Sequence, residues 1–240
     1  MVDLTSITAL TFDCYGTLVD WETGLESALR PVLEVFSADC TREMVMQDYA
    51  RFEAQVEAEV AGRAWRSYGD VLCEVAERMF VEYGVPPGAV PSDVLSTSLP
   101  DWPLFPDTVE ALRRLRRHVP LGVVSNVDAD LFAGTARHLA GDGENPFTWV
   151  VTAGEVRAYK PDPAMFAAAR QTLGEAAGGW LHAAQSLYHD IRPARQLGVA
   201  CVHVVRRGAG ATPDLGDDAR ADLVVPDLAA LADAFDAARG

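Results

Sequence analysis

The feature that most limits the possible folds of this chain is an alternation of short apolar runs with segments of helical periodicity beyond residue 107. Each run has the length and composition of a buried strand. The runs lie at residues 121–125, 147–152, 180–185, 201–205 and 223–225, and a similar run lies earlier, at 6–12. Strands that alternate with helices are typical of a parallel sheet with helices on both faces. We therefore predict an α/β fold with a doubly wound parallel sheet.

The segment that follows the first strand has a different pattern. From Glu22 to about Gly84, apolar residues recur three or four positions apart and strand signals are missing, which predicts helices. Proline-rich passages at 86–87 and 100–106 mark the end of this segment. We predict that residues 21–99 form a helical domain inserted after the first strand, and that residues 1–20 and 100–240 form the Rossmann-like core.

The composition narrows the cellular setting and the partners. The net charge is -15 and the sequence pI is about 4.6, which disfavours nucleic acid or an anionic membrane surface as a partner. No apolar run approaches the roughly 18–20 residues of a membrane helix, and the first residues lack the basic segment of a signal peptide. The four cysteines are scattered without metal-ligand spacing. We expect a cytoplasmic protein with reduced thiols.

Lysine occurs at a single position. Of the 20 basic residues, 19 are arginine and only Lys160 is lysine. An ammonium is compact and its pKa shifts readily, whereas a guanidinium is planar and stays charged. The pattern suggests that position 160 requires an ammonium, although chance retention of one surface lysine is the competing interpretation.

Polar residues follow three of the predicted strands. Asp13 ends the first strand, Ser125 and Asn126 close the second, and Asp190 lies a few residues after a later one. In doubly wound sheets, functional groups gather at the carboxyl ends of the strands. These residues are therefore candidates for one site.

Four motifs follow one another between residues 13 and 190. They read Asp13-Cys14-Tyr15-Gly16-Thr17, Val-Val-Ser125-Asn126, Tyr159-Lys160-Pro161-Asp162 and Ser186-Leu-Tyr-His-Asp190. In this order they resemble the haloacid dehalogenase superfamily, and the helical insert lies where that family carries its cap domain.

The resemblance implies covalent catalysis by a carboxylate. Asp13 would attack the substrate and form an ester or acyl phosphate that water then hydrolyses. Lys160 would keep Asp13 ionised and stabilise developing negative charge. Thr17 and Ser125 would hold carboxylate oxygens of Asp13 or of the substrate, and Asp190 would orient Lys160 or position water.

Two departures from the family pattern point to a subtype. Phosphatases of this superfamily carry a second aspartate two residues after the nucleophile, where this chain has Tyr15, and another four residues before the last acid, where it has Ser186. The chain thus resembles the metal-independent branch of L-2-haloacid dehalogenases, for which no cofactor is expected. If Mg²⁺ were bound, Asp13, Tyr15 and Asp190 would hold it.

The substrate pocket differs from that of a working dehalogenase. A gapless comparison places Tyr49 where those enzymes carry a halide-binding arginine, with Arg51 two residues further on as a candidate replacement. A titrating role and a structural role remain open for His189. The residues predicted to contact the substrate are Cys14, Tyr15, Arg51, Asn126, Ser186 and His189.

The resemblance leaves several functions open. The first is displacement of a leaving group from the α-carbon of a small carboxylic acid, by dehalogenation or by ring opening as in azetidine-2-carboxylate hydrolases. The second is an Mg²⁺-dependent phosphatase acting on a small molecule, and the third is a catalytically idle binding protein. A homodimer is compatible with the sequence.

Overall fold

The computed structural model describes residues 2–60, 65–141, 143–206 and 216–240. The described residues contain one six-stranded sheet in the order β3-β2-β1-β4-β5-β6, and every strand pair is parallel. The strands are β1 Ala9–Phe12, β2 Leu121–Ser125, β3 Phe147–Thr152, β4 Trp180–Ala184, β5 Ala200–Val204 and β6 Leu223–Val225. The predicted α/β fold with a parallel sheet is confirmed.

The helices lie between and after these strands. None of the helices in the described residues combines the length and the apolar composition of a membrane span. The α-helices are α1 Trp21–Val35, α2 Arg42–Val60, α3 Tyr68–Glu82, α4 Val94–Ser98, α5 Thr108–Leu115, α6 Ala129–Leu139, α7 Ala153–Val156, α8 Pro163–Leu173, α9 Arg192–Gln196 and α10 Leu228–Arg239, and a π-helical turn covers Leu187–Ile191.

The central strands read as continuous apolar runs because helices cover both faces of the sheet. All residues of β1, β2 and β4 are buried. The chain proceeds from β1 to β2 and β3 on one side, then crosses to β4 on the other side of β1. The carboxyl end of β1 therefore lies at the topological switch point, where doubly wound sheets bind their ligands.

Helices α1 to α4, hereafter the cap segment, all precede β2. Helices α2 and α3 pack against each other through buried apolar residues such as Val56 and Val75. Hydrogen bonds between residues distant in sequence join the segment to the core. The Gly69 N–H donates to Asp128 Oδ2 at 2.9 Å, and the Tyr159 hydroxyl donates to the Arg66 carbonyl at 2.9 Å. That residues 21–99 form a separate cap domain remains a prediction.

Gly24 sets how closely α1 approaches the core. A Cβ at this position would overlap the ring of Trp102. We expect Gly24→Ala to lower the free energy of unfolding by about 1–3 kcal/mol because the site is overpacked, although alanine is the better helix former by about 1 kcal/mol. Gly69→Ala in α3 is the control, since its Cβ would meet nothing nearer than 3.7 Å. Equal urea midpoints for the two variants would contradict this expectation.

Candidate active site

Asp13 is presented at the end of β1 by a tight turn. Its backbone N–H donates to Ala183 O of β4 at 3.1 Å, and its side chain is largely buried. Gly16 follows with φ of +96°, a conformation that favours glycine. The turn brings the Thr17 hydroxyl to Asp13 Oδ2, to which it donates at 2.9 Å. One carboxylate oxygen of Asp13 is thus fixed by its own loop.

Lys160 is buried with all three ammonium protons satisfied. Its Nζ donates to Asp13 Oδ1 at 2.8 Å, to Asp190 Oδ1 at 2.7 Å and to Val124 O at 2.8 Å. Asn126 holds the backbone of Lys160 from both sides, since its Oδ1 accepts the Lys160 N–H and its Nδ2 donates to the Lys160 carbonyl. Three oxygens around one nitrogen suit an ammonium and not a planar guanidinium.

The charges of this cluster shift one another's pKa values. Burial opposes the charge of Lys160, but the carboxylates of Asp13 and Asp190 outweigh burial and raise its pKa. Burial also opposes ionisation of Asp190, but Lys160 and His182 lower its pKa below the ordinary value. Burial, together with the charge of Asp190, raises the pKa of Asp13 despite Lys160. The cluster thus holds an ionised Asp190 and an unusually basic Asp13.

His182 supports Asp190 from within β4, a role that was not predicted from the sequence. Its Nε2 lies 3.0 Å from Asp190 Oδ1 and its Nδ1 lies 2.8 Å from Thr11 Oγ1. Because Thr11 Oγ1 accepts the Trp180 Nε1–H at 2.7 Å, its own proton is free for Nδ1. This arrangement assigns the imidazole proton to Nε2, which donates to Asp190. The signal in the sequence was a histidine inside an otherwise apolar strand.

His182→Phe is expected to lower the free energy of unfolding by about 1–3 kcal/mol, because buried Asp190 and Thr11 each lose a hydrogen-bond partner. Urea denaturation at pH 7 measures this loss. His182→Gln, which retains an amide donor, serves as the comparison and should lose less. If His182→Phe had the same free energy of unfolding as the wild type, the stabilising role of these hydrogen bonds would be contradicted.

A cavity of about 240 Å³ lies between the core and the cap segment, in front of Asp13 and Lys160. An open groove of about 640 Å³ on the cap segment is larger, but it contains neither residue. From the core, the smaller cavity is lined by Asp13, Tyr15, Trp102, Ser125, Asn126, Lys160, Gln185, Ser186, His189 and Asp190; from the cap segment, it is lined by Trp21, Tyr49, Ala50, Glu53, Glu57 and Tyr68. Most predicted site residues therefore meet in one place.

Two predicted substrate contacts are corrected by the structure. Cys14 is fully buried among core side chains and does not line the cavity. Arg51 is exposed on α2, where its guanidinium binds Asp48 at 2.7 Å and lies over the Phe52 ring. Tyr49 does line the cavity, and residues two positions apart on a helix face different sides, which directs Arg51 away.

Three further residues predicted to contact the substrate, Tyr15, Ser186 and His189, line the cavity with neutral side chains. The Tyr15 hydroxyl lies 2.9 Å from Thr135 Oγ1, and burial raises its pKa well above the ordinary value. Ser186 accepts the His189 N–H at 3.0 Å, and its Oγ lies 3.2 Å from His189 Nδ1. Burial lowers the pKa of His189, which favours a neutral imidazole.

The residues around Asp13 do not fit a magnesium site. Among the residues that the structure describes, no group of three His, Cys, Asp or Glu side chains could hold a metal ion. The Lys160 ammonium already bridges Asp13 and Asp190, the two carboxylates on which Mg²⁺ would depend.

Comparisons with known proteins agree with this architecture. A family model described as haloacid dehalogenase-like hydrolase matches residues 7–181. A search of curated proteins gave no match. Among solved structures, a defluorinating L-2-haloacid dehalogenase is 23% identical, with 96% of this chain and 95% of that chain covered and a TM-score of 0.78.

Two further structures share the fold at 18% identity. One is L-2-haloacid dehalogenase from Xanthobacter autotrophicus with chloropropionic acid covalently bound, with 95% of this chain and 97% of that chain covered and a TM-score of 0.78. The other is the HAD-hydrolase YfnB from Bacillus subtilis bound to magnesium, with coverage of 96% and 99% and a TM-score of 0.76. A metal-bound relative and dehalogenases thus share one fold, so the reaction must be argued from the site.

Proposed function

The chain belongs to the haloacid dehalogenase-like hydrolases, and from that premise we propose that it displaces a leaving group from the α-carbon of a small carboxylic acid, with Asp13 as the nucleophile. The observation that carries this proposal is the contact of one buried ammonium with both Asp13 and Asp190 at the cavity. A phosphatase would need a carboxylic acid two residues after the nucleophile, and Tyr15 stands there.

In the first step a carboxylate oxygen of Asp13 forms a bond to the α-carbon, and the leaving group departs with the bonding electrons. The raised pKa of Asp13 supports this role, because a more basic carboxylate is a better nucleophile. The hydrogen bonds from Thr17 and Lys160 fix the orientation of the carboxylate. A halide leaves without needing a proton. The reaction therefore requires no general acid at position 15, where the neutral phenol of Tyr15 stands.

In the second step water attacks the ester carbonyl carbon of Asp13. The acyl–oxygen bond breaks, the 2-hydroxy acid leaves, and Asp13 regains a carboxylate that carries one oxygen from water. With a halide, the overall change consumes one water and releases the halide and one proton. In ring opening the nitrogen stays attached to the product, and its amine takes up that proton. Asp190 lines the cavity and is held ionised by Lys160 and His182, so its carboxylate is the acceptor for the proton of that water.

The substrate's carboxylate needs donors in the same cavity. Ser125 is buried at the end of β2 and lines the cavity beside Asn126. We assign the Ser125 hydroxyl to this carboxylate. The positive charge of Lys160, whose three protons are bound by Asp13, Asp190 and Val124, stabilises the negative charge that develops during attack.

Turnover in H₂¹⁸O tests the covalent step. A panel of halogenated and ring-containing 2-substituted acids, including 2-chloropropanoate and azetidine-2-carboxylate, should contain a substrate whose multiple turnovers place ¹⁸O in the Asp13 carboxylate, as read by peptide mass spectrometry. Label in the product alone, with none in Asp13, would contradict the ester intermediate.

The same panel tests the metal requirement. We expect turnover to persist in EDTA, because the site lacks a fitting set of metal ligands. Hydrolysis of p-nitrophenyl phosphate that depends on Mg²⁺ and disappears in Asp13→Asn would favour the phosphatase instead.

A further inference from the structure

The cap segment brings two carboxylates to the cavity. Glu53 and Glu57 lie one turn apart on α2 and both line the cavity that holds Asp13. Tyr49 is a further turn back on the same face, so this stripe of α2 points at the core. The sequence gives no hint of this placement, because acidic residues also lie on the outer face of α2.

Hydrogen bonds to one oxygen of the Glu53 carboxylate hold this side chain in place. Its Oε1 accepts the hydroxyl protons of Tyr49 at 2.8 Å and of Tyr68 at 2.6 Å. Within the described part of the chain, no hydrogen bond to Oε2 is found. Two buried phenols thus fix the direction of a carboxylate that can still accept a donor at the cavity.

Glu57 has no hydrogen bond or ion pair with any residue that the structure describes. Burial, followed by the nearby charge of Glu53, raises its pKa well above the ordinary value, although Lys160 acts in the opposite sense. A half-buried carboxylate without a partner would gain from a bound cation. Asp190 also lines this cavity, and its buried Oδ2 has no hydrogen-bond donor among the described residues.

The rest of the lining also favours a cation. Aromatic rings attract positive charge to their faces. Five aromatic residues line the cavity, and two of their rings, those of Trp21 and Tyr49, lie 5.4 Å apart between centroids. The aromatic residues are Tyr15, Trp21, Tyr49, Tyr68 and Trp102.

The lining offers little to a substrate that is only anionic. Among the described lining residues, Lys160 is the one lysine or arginine, and Asp13 and Asp190 already share it. Arg51 lies outside. Four carboxyl groups face this single ammonium, so a second anionic group on the substrate would be repelled.

We propose that Glu53 and Glu57 form a subsite for a positively charged nitrogen. The substrate is then a small zwitterion with its carboxylate at Ser125, on the side of the cavity where Lys160 supplies positive charge, and its ammonium at the cap segment. The identification of the carboxylate end rests on the proposed function. A cavity of about 240 Å³ limits the substrate to a small molecule. Ring-opening substrates with a protonated ring nitrogen belong to the same class.

Calorimetric binding to the full chain tests the subsite without turnover. The probes are 4-aminobutanoate and pentanoate, which differ by an ammonium in place of a methyl group. We expect the wild type to bind 4-aminobutanoate at least about 10-fold more tightly than pentanoate, because the fixed Glu53 carboxylate and the aromatic rings attract the ammonium. In Glu53→Gln/Glu57→Gln the ratio should fall below about 3-fold.

Glu59→Gln is the matched control. Glu59 lies on the same helix but is exposed and binds Arg78 at 2.9 Å, so its replacement should leave the binding ratio unchanged. Equal or tighter binding of pentanoate by the wild type, or no detectable binding of 4-aminobutanoate, would overturn the subsite. A preference that survives in the double variant would overturn it as well.

The two proposals fail in distinguishable ways. Suppose that the wild type prefers the ammonium probe, but no 2-substituted acid, with or without an ammonium group, places ¹⁸O in Asp13. This result would contradict the proposed function and leave the subsite supported. If ¹⁸O enters Asp13 but the ammonium probe does not bind more tightly, only the subsite would be contradicted.

Discussion

Asp13→Asn is expected to lower kcat by at least about 10⁴-fold, because an amide cannot form the ester intermediate, while the variant remains as stable as the wild type or becomes more stable at pH 7. Folding raises the pKa of Asp13 above its ordinary value of 3.8. Any stability that this group contributes is therefore present below pH 3.8 and is lost as the pH rises through the higher folded pKa. Asparagine removes the cost of the buried charge and leaves Lys160 paired with Asp190.

Turnover of the best substrate and urea denaturation at pH 7 measure the two effects. Asp39→Asn, at an exposed aspartate of the cap segment, is the control and should change neither quantity. A loss of activity that merely follows a loss of folded protein would contradict the assignment of Asp13 as nucleophile. In the wild type, kcat/KM should fall with decreasing pH through a pKa above 3.8, since only ionised Asp13 attacks.

Lys160→Met should be the most destabilising substitution in the site, with a loss of about 3–5 kcal/mol at pH 7, because it leaves two buried carboxylates without their cation. Turnover should fall by at least about 10³-fold as the stabilising charge disappears. Lys160→Arg should not restore activity. Three oxygens converge on Nζ at 2.7–2.8 Å, and a longer planar guanidinium cannot occupy that point.

Two comparisons separate the charge effect from simple loss of packing. Lys160→Met/Asp190→Asn should recover part of the lost stability, because one of the orphaned charges is removed. The difference between Lys160→Met and the wild type should also narrow as the pH falls and the carboxylates protonate. A deficit that is the same at all pH values and in the double variant would show that the ammonium contributes packing alone.

The proposed subsite at Glu53 and Glu57 affects the choice of substrates for these experiments. If a substrate ammonium binds at Glu53 and Glu57, simple 2-halo acids should be poor substrates even though Asp13, Lys160 and Asp190 are in place. Turnover of the plain acids at the rates of a cationic analogue would contradict that expectation. Substrate panels should therefore include acids with a second, cationic group.

The strands and the motifs of the candidate site could be predicted because their signals are local. Strands buried on both faces must be apolar throughout, and groups at the carboxyl ends of parallel strands must lie at one edge of the sheet. The placement of Asp13 at the end of β1 and of Ser125 at the end of β2 follows from these two constraints. The single lysine and the family pattern supplied Lys160 and Asp190.

The cap side of the site could not be predicted in the same way. Arg51, Glu53 and Glu57 are all charged residues on α2, and the sequence does not say which side of the helix meets the core. The structure directs Tyr49 and the two glutamates inward and Arg51 to an exposed ion pair. His182 was missed for a related reason, since its partners Thr11 and Asp190 are distant in sequence or lie in a turn.

By itself, the sequence determined the parallel sheet and the residues that end its strands, because backbone periodicity and burial act over a few neighbouring positions. Tertiary packing alone decided what faces Asp13 across the cavity, because the rotation of a helix about its axis is set by the surface on which it packs. The charge that a substrate must carry to complement that cavity is a consequence of this packing.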